Sequence, residues 1–291
     1  MSHTSSITFF APLRDGSRDA HLDEYLQLLE VRNGTLATDG TYPNREAWLT
    51  AINAHPVRYH GHIDSAEFER NFETFDPRGT TNRPLVTLLA FIKMNAGEAY
   101  GIEAVSKVRH RKPPLGSDRF DHLERIISKE ERYHSRILAG ATKQFGLPEP
   151  KSAYRPPLPL RALIGALMFA PKPAFHSVLL GAEVGGVFAV NWLLGRVREV
   201  FGDQPEIRDL MEERLIEILT DEIGHIAFNR LAISAQGMRI AEKLAPEVAH
   251  ATAGITQEFK ALGWSRNSLA DFGRFGLSAL PAQARKRAFF V

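Results

Sequence analysis

At 291 residues the chain is long for one helical bundle and short for two independent units, so one enlarged domain over 1–291 is expected. Hydrophobic residues make up 44% and charged residues 24%, which excludes a disordered polar chain, and a formal net charge of +2 supplies no field that argues for nucleic acid. With no cysteine, disulfides, thiolate sites and iron–sulfur clusters are excluded, so any metal must rest on oxygen and nitrogen donors.

The opening MSHTSSITFFAPLRDG has no basic stretch followed by a long apolar run; no signal peptide is expected and a cytoplasmic location is the default. Residues 1–83 read as an extension of short helices, DAHLDEYLQLLEVR, NREAWLTAIN and SAEFERNFETF. Turn signals at Asn33-Gly34 and Asp76-Pro77-Arg78-Gly79 divide them, and they carry no chemical motif. From Pro84 to about His110 apolar residues recur at helical spacing, with Leu85, Leu88, Ile92, Ile102 and Val105 on one stripe, until Lys112-Pro113-Pro114 stops the pattern. A second helix over about Arg119 to Phe145 closes at Gly146-Leu147-Pro148, and the short connection makes the two antiparallel neighbours. Seven of the 17 prolines then fall between Pro148 and Pro173, which reads as a long crossover because they forbid one continuous helix. A third helix spans about Ala174 to Phe201, and Gly202-Asp203-Gln204-Pro205 turns the chain into a fourth over about Glu206 to Ser234. A fifth, roughly Met238 to Leu262, precedes a basic tail, QARKRAFFV, within the C-terminal segment 236–291. The tail reads as a solvated or packing segment. The apolar stretch LRALIGALMFA is about half of the roughly 20 residues a membrane span needs, so no span is expected.

The two helix pairs repeat one chemical pattern. Glu98 is followed 33 residues later (131 − 98) by Glu131, with His134 three positions on; Glu183 is followed 39 residues later (222 − 183) by Glu222, with His225 three positions on. Residues three apart share a helix face, so each Glu-x-x-His can aim at one point in the interior. Glu98 lies among Phe91, Met94, Ile102 and Val105, and Glu183 among Leu179, Leu180, Val187 and Val190, with no Lys or Arg at neighbouring helical positions. A buried carboxylate without a partner costs several kcal/mol, which metal binding removes. Four carboxylates and two neutral imidazoles balance two divalent ions. With 22 Glu and 11 His, one Glu-x-x-His is expected by chance, and the chain has a third at Glu247 and His250. That one follows Pro246 directly, lacks a companion helix with a lone Glu, and reads as surface decoration.

The order Glu, Glu-x-x-His, Glu, Glu-x-x-His on four helices resembles the ferritin-like di-iron carboxylate superfamily over about 84–235. An all-α fold is expected: a ferritin-like four-helix bundle with one long crossover, plus additional N- and C-terminal helices. The resemblance implies that Glu98 and Glu183 are terminal or bridging ligands, that Glu131 and Glu222 bridge two ions, and that His134 and His225 bind one each. It also implies that Glu130 and Asp221, the acids before the two motifs, each accept a hydrogen bond from the histidine of the opposite motif. The expected cofactors are two iron ions, with Mn/Fe or Mn/Mn pairs using the same donors, and O2 is the expected co-substrate.

Other residues have plainer readings. His176 is expected to be a hydrogen-bonded core histidine, His55, His60 and His62 to be solvated in a loop, and Tyr100 and Tyr133 to pack. The superfamily's radical tyrosine position is Leu138 here, which disfavours a ribonucleotide reductase subunit. About 83 residues before and about 56 after the core suit a capped substrate pocket or an oligomer contact better than mineral storage. Gly181, Gly185 and Gly186 beside Glu183 serve either close helix packing or space for substrate. The expected activity is that of a di-iron oxygenase or oxidase acting on a small organic molecule by N-oxygenation, C-hydroxylation, desaturation or deformylation. An external electron donor such as a reductase or ferredoxin is expected, and a homodimer is possible in this group. Resemblance extends to the p-aminobenzoate N-oxygenase family, although Ile218 stands where those enzymes carry a further metal-binding His. A non-storage ferroxidase or manganese catalase is the alternative, and a tRNA-modifying hydroxylase a third reading that the small charge disfavours.

Overall fold

Side-chain caps start four of the α-helices in the computed structural model, which describes residues 8–109, 119–150 and 154–291. Helix α1 (Arg18–Asn33) starts where the Ser17 hydroxyl accepts the Ala20 amide and ends at Gly34, whose φ of 80° lets its N–H reach the Glu30 carbonyl. After α2 (Pro43–Ala54), α3 (Ser65–Glu73) is capped by Asp64 and α4 (Arg83–Lys93) by Asn82, each side chain accepting a first-turn amide. Next come α5 (Ala96–Arg109) and α6 (Arg119–Ala139), whose end tightens into a 3-10 turn over Gly140–Phe145. The remaining helices are α7 (Leu158–Leu167), α8 (Lys172–Val200), α9 (Pro205–Ala232), α10 (Ala235–Ile255), α11 (Gln257–Ala261) and α12 (Ala282–Arg287). The fold is all-helical among the described residues, apart from short 3-10 turns and one isolated bridge between Thr8 and Gly276.

Three elements differ from the sequence expectation. The helix expected from Pro84 to His110 is two helices broken at Met94-Asn95; His110 lies outside the described residues. Asn95 leaves the helical ladder to donate from Nδ2 to the Glu131 carbonyl (3.2 Å) and Ser135 Oγ (3.1 Å), pinning the break to α6. The fifth helix divides at the extended residue Thr256 into α10 and α11. The proline-rich crossover contains α7, because Pro157 and Pro159 occupy its N-terminal edge, where no intrahelical N–H is required, and Pro171 follows its end.

Helix α8 packs on α9, α10 and α4, while α6 meets α5, α9 and α1. Two of the glycines of α8 beside Glu183 serve close helix packing, one of the two roles expected for them. A Cβ at Gly181 would fall 3.2 Å from the Ala241 carbonyl oxygen and one at Gly185 3.0 Å from the Ala249 amide, so both permit close approach to α10. Gly186 instead faces Glu98, where a Cβ would sit 3.3 Å from Oε1. The segment Pro173–Val200 of α8 is long and apolar enough to cross a membrane by composition, with a mean hydropathy of 1.6, but 61% of that window is buried. It is a longer apolar run than LRALIGALMFA and behaves as a core helix carrying Glu183. The C-terminal tail packs: Phe289 stacks on Tyr25 with ring centroids 4.7 Å apart, and Arg230 donates to the carbonyls of Val291 and Ala11.

Candidate metal centre

Helices α5, α6, α8 and α9 bring Glu98, Glu131, His134, Glu183, Glu222 and His225 together. Two groups of four ligand atoms form, each with all its atoms within 4.8 Å of one another: Glu98, Glu131, His134 and Glu222 in one, Glu131, Glu183, Glu222 and His225 in the other. Glu131 and Glu222 belong to both. Each spans the pair of histidines. Glu131 places Oε2 3.1 Å from His134 Nδ1 and Oε1 2.9 Å from His225 Nδ1; Glu222 places Oε1 3.1 Å from the first and Oε2 3.3 Å from the second. The i, i+3 spacing within α6 and α9 produces half of these contacts and the packing of α6 on α9 the rest. Five of the six residues are buried, and Glu98 retains some surface.

Each imidazole is held from behind by the opposite motif. His134 Nε2 lies 3.1 Å from Asp221 Oδ2, and His225 Nε2 lies 3.2 Å from Glu130 Oε2, so both Nδ1 atoms face the interior of the cluster. Arg45 on α2 donates to Glu130 Oε1 (3.0 Å), to Asp221 and to Glu217, while its Nε donates to Asn33 Oδ1 (2.7 Å). Asn33 Nδ2 donates to Glu130 Oε1 at 2.9 Å. Arg32 on α1 pairs with Glu217 (2.8 Å) and Asp221, and Arg287 on α12 pairs with Glu217. Three acids from α6 and α9 thus meet three arginines from the two ends of the chain.

This arrangement separates the charge states of the acids. Burial raises Glu98 and Glu183 well above the usual carboxylate range, and the neighbouring Glu222 and Glu131 raise them further. Burial also opposes charge on Asp221, but Arg32, Arg45 and His134 outweigh it and hold that carboxyl well below its usual range. Both histidines are disfavoured as cations by burial; Glu131 and Asp221 at His134, and Glu130, Glu131 and Glu222 at His225, nevertheless raise them well above the ordinary imidazole value. Glu183 Oε2, Glu222 Oε2 and His225 Nδ1 are buried without a hydrogen-bond partner. Buried carboxylate and imidazole atoms without hydrogen-bond partners, converging on one point, fit a pair of cations, and carboxylate plus imidazole donors suit iron or manganese.

The other candidates take structural roles. His176 Nδ1 lies 2.8 Å from Asn229 Oδ1, buried between Phe120, Phe175 and Phe228. His55, His60 and His62 are exposed, and Tyr133 donates to Glu46 Oε1 (2.8 Å). Glu247 is exposed and pairs with Arg266 at 3.0 Å, while His250 is half-buried. Sequence reasoning missed Asn33, Arg32, Arg45, Glu217 and Arg287, which have no motif spacing. It also missed Tyr25, a buried tyrosine whose hydroxyl fills the space beside Gly224: a Cβ there would fall 2.4 Å from the oxygen. Replacing Arg45 with Leu is expected to cost about 3–5 kcal/mol in urea denaturation, since it strips the shared counter-charge from buried Glu130, Glu217 and Asp221. Arg266→Leu, removing an exposed partner, should leave the midpoint unchanged.

A cavity of about 170 Å³ lies against the α4–α5 break, bounded by Phe72, Ile92, Asn95, Ala99, Ser135 and Tyr154 among others. Its lining draws on α5 and α6 near Glu98 and Glu131 in the sequence, and none of the six candidate ligands is among the residues that bound it. Phe72 closes it from outside 84–235. A comparison with protein-family models, curated proteins and solved structures finds no match to the chain.

Proposed function

We propose that the protein is a di-iron oxygenase or oxidase acting on a small organic molecule. Its frame is read as a ferritin-like four-helix bundle in which α5, α6, α8 and α9 carry the ligands and the segment from Gly146 to Pro171 is the long crossover. The observation that carries this reading is the sharing of Glu131 and Glu222 between two groups of four ligand atoms. Two ions held there would supply O2 activation, drawing electrons from an external reductase or ferredoxin and oxidising the substrate by N-oxygenation, C-hydroxylation or desaturation.

Each ion would have one histidine and one private carboxylate: His134 with Glu98, His225 with Glu183. Asp221 and Glu130 keep Nε2–H of the two imidazoles occupied, which leaves Nδ1 as the donor toward the ions. Packed apolar side chains of α8 and α9, including Val187, Leu219 and Ile223, exclude water from the cluster. The cavity at Asn95 and Ala99 offers space for an organic molecule beside the residues that flank Glu98 in the sequence.

Anaerobic loading with Fe(II) followed by elemental analysis is expected to give about two ions per chain. His134→Ala and His225→Ala should lower that occupancy with the helical circular dichroism retained, and His250→Ala should do neither. A single ion, or loss of metal in the His250 variant, overturns the reading. Mixing the loaded protein with O2 and a panel of amines, fatty acids and aldehydes should then show oxidation accelerated by one class. Rapid turnover of Fe(II) or peroxide with no response to the panel would identify a ferroxidase or manganese catalase instead.

A further inference from the structure

The crossover carries a surface that the metal centre does not use. Seven large hydrophobic residues are exposed among the described residues, and three of them fall within twelve positions: Leu158 at 68%, Leu163 at 56% and Phe169 at 81%. They line the outer side of α7 and the turn that follows it. The inner side docks on α5, where Leu160 meets Gly97 at 3.7 Å and Ile164 meets Gly101 at 3.8 Å from the position a Cβ would take. Helix α7 is therefore seated on the helix that bears Glu98, with its opposite face uncovered among the described residues.

Charge is as uneven as hydrophobicity. From Pro150 to Ala182 there is no Asp or Glu, whereas Lys151, Arg155, Arg161 and Lys172 fall in the same stretch. Exposed apolar residues in a stretch of sequence that carries cations and no acids are the pattern of a helix lying in the plane of a lipid surface, apolar side chains below the headgroups and cations among anionic phosphates. A second copy of the chain fits less well. A two-fold contact would set the same cations against each other, and a ten-residue helix about 15 Å long covers little of the roughly 800 Å² per partner that a stable dimer buries.

We propose that the outer face of α7, with Phe169 at its end, docks on an anionic lipid bilayer. This goes beyond the metal-centre reading and does not depend on it. Docking would bring the bilayer against the element that covers α5, so an apolar substrate could reach the Glu98 side without crossing bulk water.

The test is flotation of the purified full-length chain with vesicles of phosphatidylcholine alone or with about a third phosphatidylglycerol. The expected result is co-flotation with the anionic vesicles, weakened by salt, and a partition coefficient about tenfold lower for L163E/F169E. Phe169→Ser, altering the most exposed of these side chains, should reduce binding with an unchanged thermal midpoint. Metal content, measured on the same samples, should not change, so failure of docking and failure of the metal reading are separable. No flotation with anionic vesicles, or equal flotation with both kinds, overturns the proposal. So does a dimer in sedimentation velocity that L163E/F169E dissolves, which would give this face to a second copy.

Discussion

Glu131→Ala or Glu222→Ala is expected to empty both positions of the metal centre, whereas Glu98→Ala or Glu183→Ala should retain about one ion per chain. The difference follows from which group each residue belongs to. Glu131 and Glu222 each approach both His134 and His225, so removing either takes a donor from both groups of four. Glu98 belongs only to the group containing His134, and Glu183 only to the group containing His225. Equilibrium dialysis against Mn(II), read by elemental analysis, measures the outcome without any turnover. Equal losses in all four variants would show that the carboxylates are not divided into shared and private donors.

Metal loading is also expected to release about four protons per chain near neutral pH, because ligands bind as carboxylate and neutral imidazole. In the metal-free chain, burial and neighbouring acids favour the protonated form of Glu98 and Glu183, and surrounding carboxylates favour the protonated form of His134 and His225 despite their burial. The four protons stand in for the charge of two divalent ions. All four groups are raised above their ordinary values of 4.5 and 6.5. The stability they contribute is thus complete below those values and is lost as pH climbs through the raised ones. Asp221 and Glu217 are depressed and act in the opposite sense, losing their contribution only as pH falls below the usual carboxylate range. The thermal midpoint of the metal-free protein should therefore decline as pH rises above about 6, while the increase produced by Mn(II) grows. Calorimetric titration in two buffers of different ionisation enthalpy counts the protons. A count near zero, or a metal-free midpoint that rises with pH through neutrality, would contradict these charge states.

The convergence of these six residues could be read from the sequence because a helix turns spacing into direction. Glu-x-x-His and a lone Glu on an apolar stripe both state which way the side chains face before any packing is known. The pairing of Glu130 with His225 and of Asp221 with His134 followed only from resemblance, and the contacts are present at 3.2 and 3.1 Å. Arg45 was invisible for a physical reason: an arginine in the short helix NREAWLTAIN has the same local pattern whether it faces water or three buried acids. The break at Asn95 was hidden because apolar periodicity continues across it from Leu88 to Ile102, and the deciding interaction, with Glu131 and Ser135, lies 36 and 40 residues away. Helix α7 was hidden by prolines that forbid a continuous helix but suit the start of a short one.

The distribution of charge around Glu217 bears on how portable the metal-binding unit is. Glu130, Glu217 and Asp221 all lie within 84–235, and the cations that balance them, Arg32, Arg45 and Arg287, all lie outside it. A cassette cut at the ends of the motif-bearing helices would keep every candidate ligand, yet it would inherit three interior anions stripped of their arginine partners. Transplanting the chemistry to another scaffold therefore requires carrying α1, α2 and α12 along, or replacing the three acids with amides. The motif marks where the candidate donors converge; the transferable unit is the nearly complete chain.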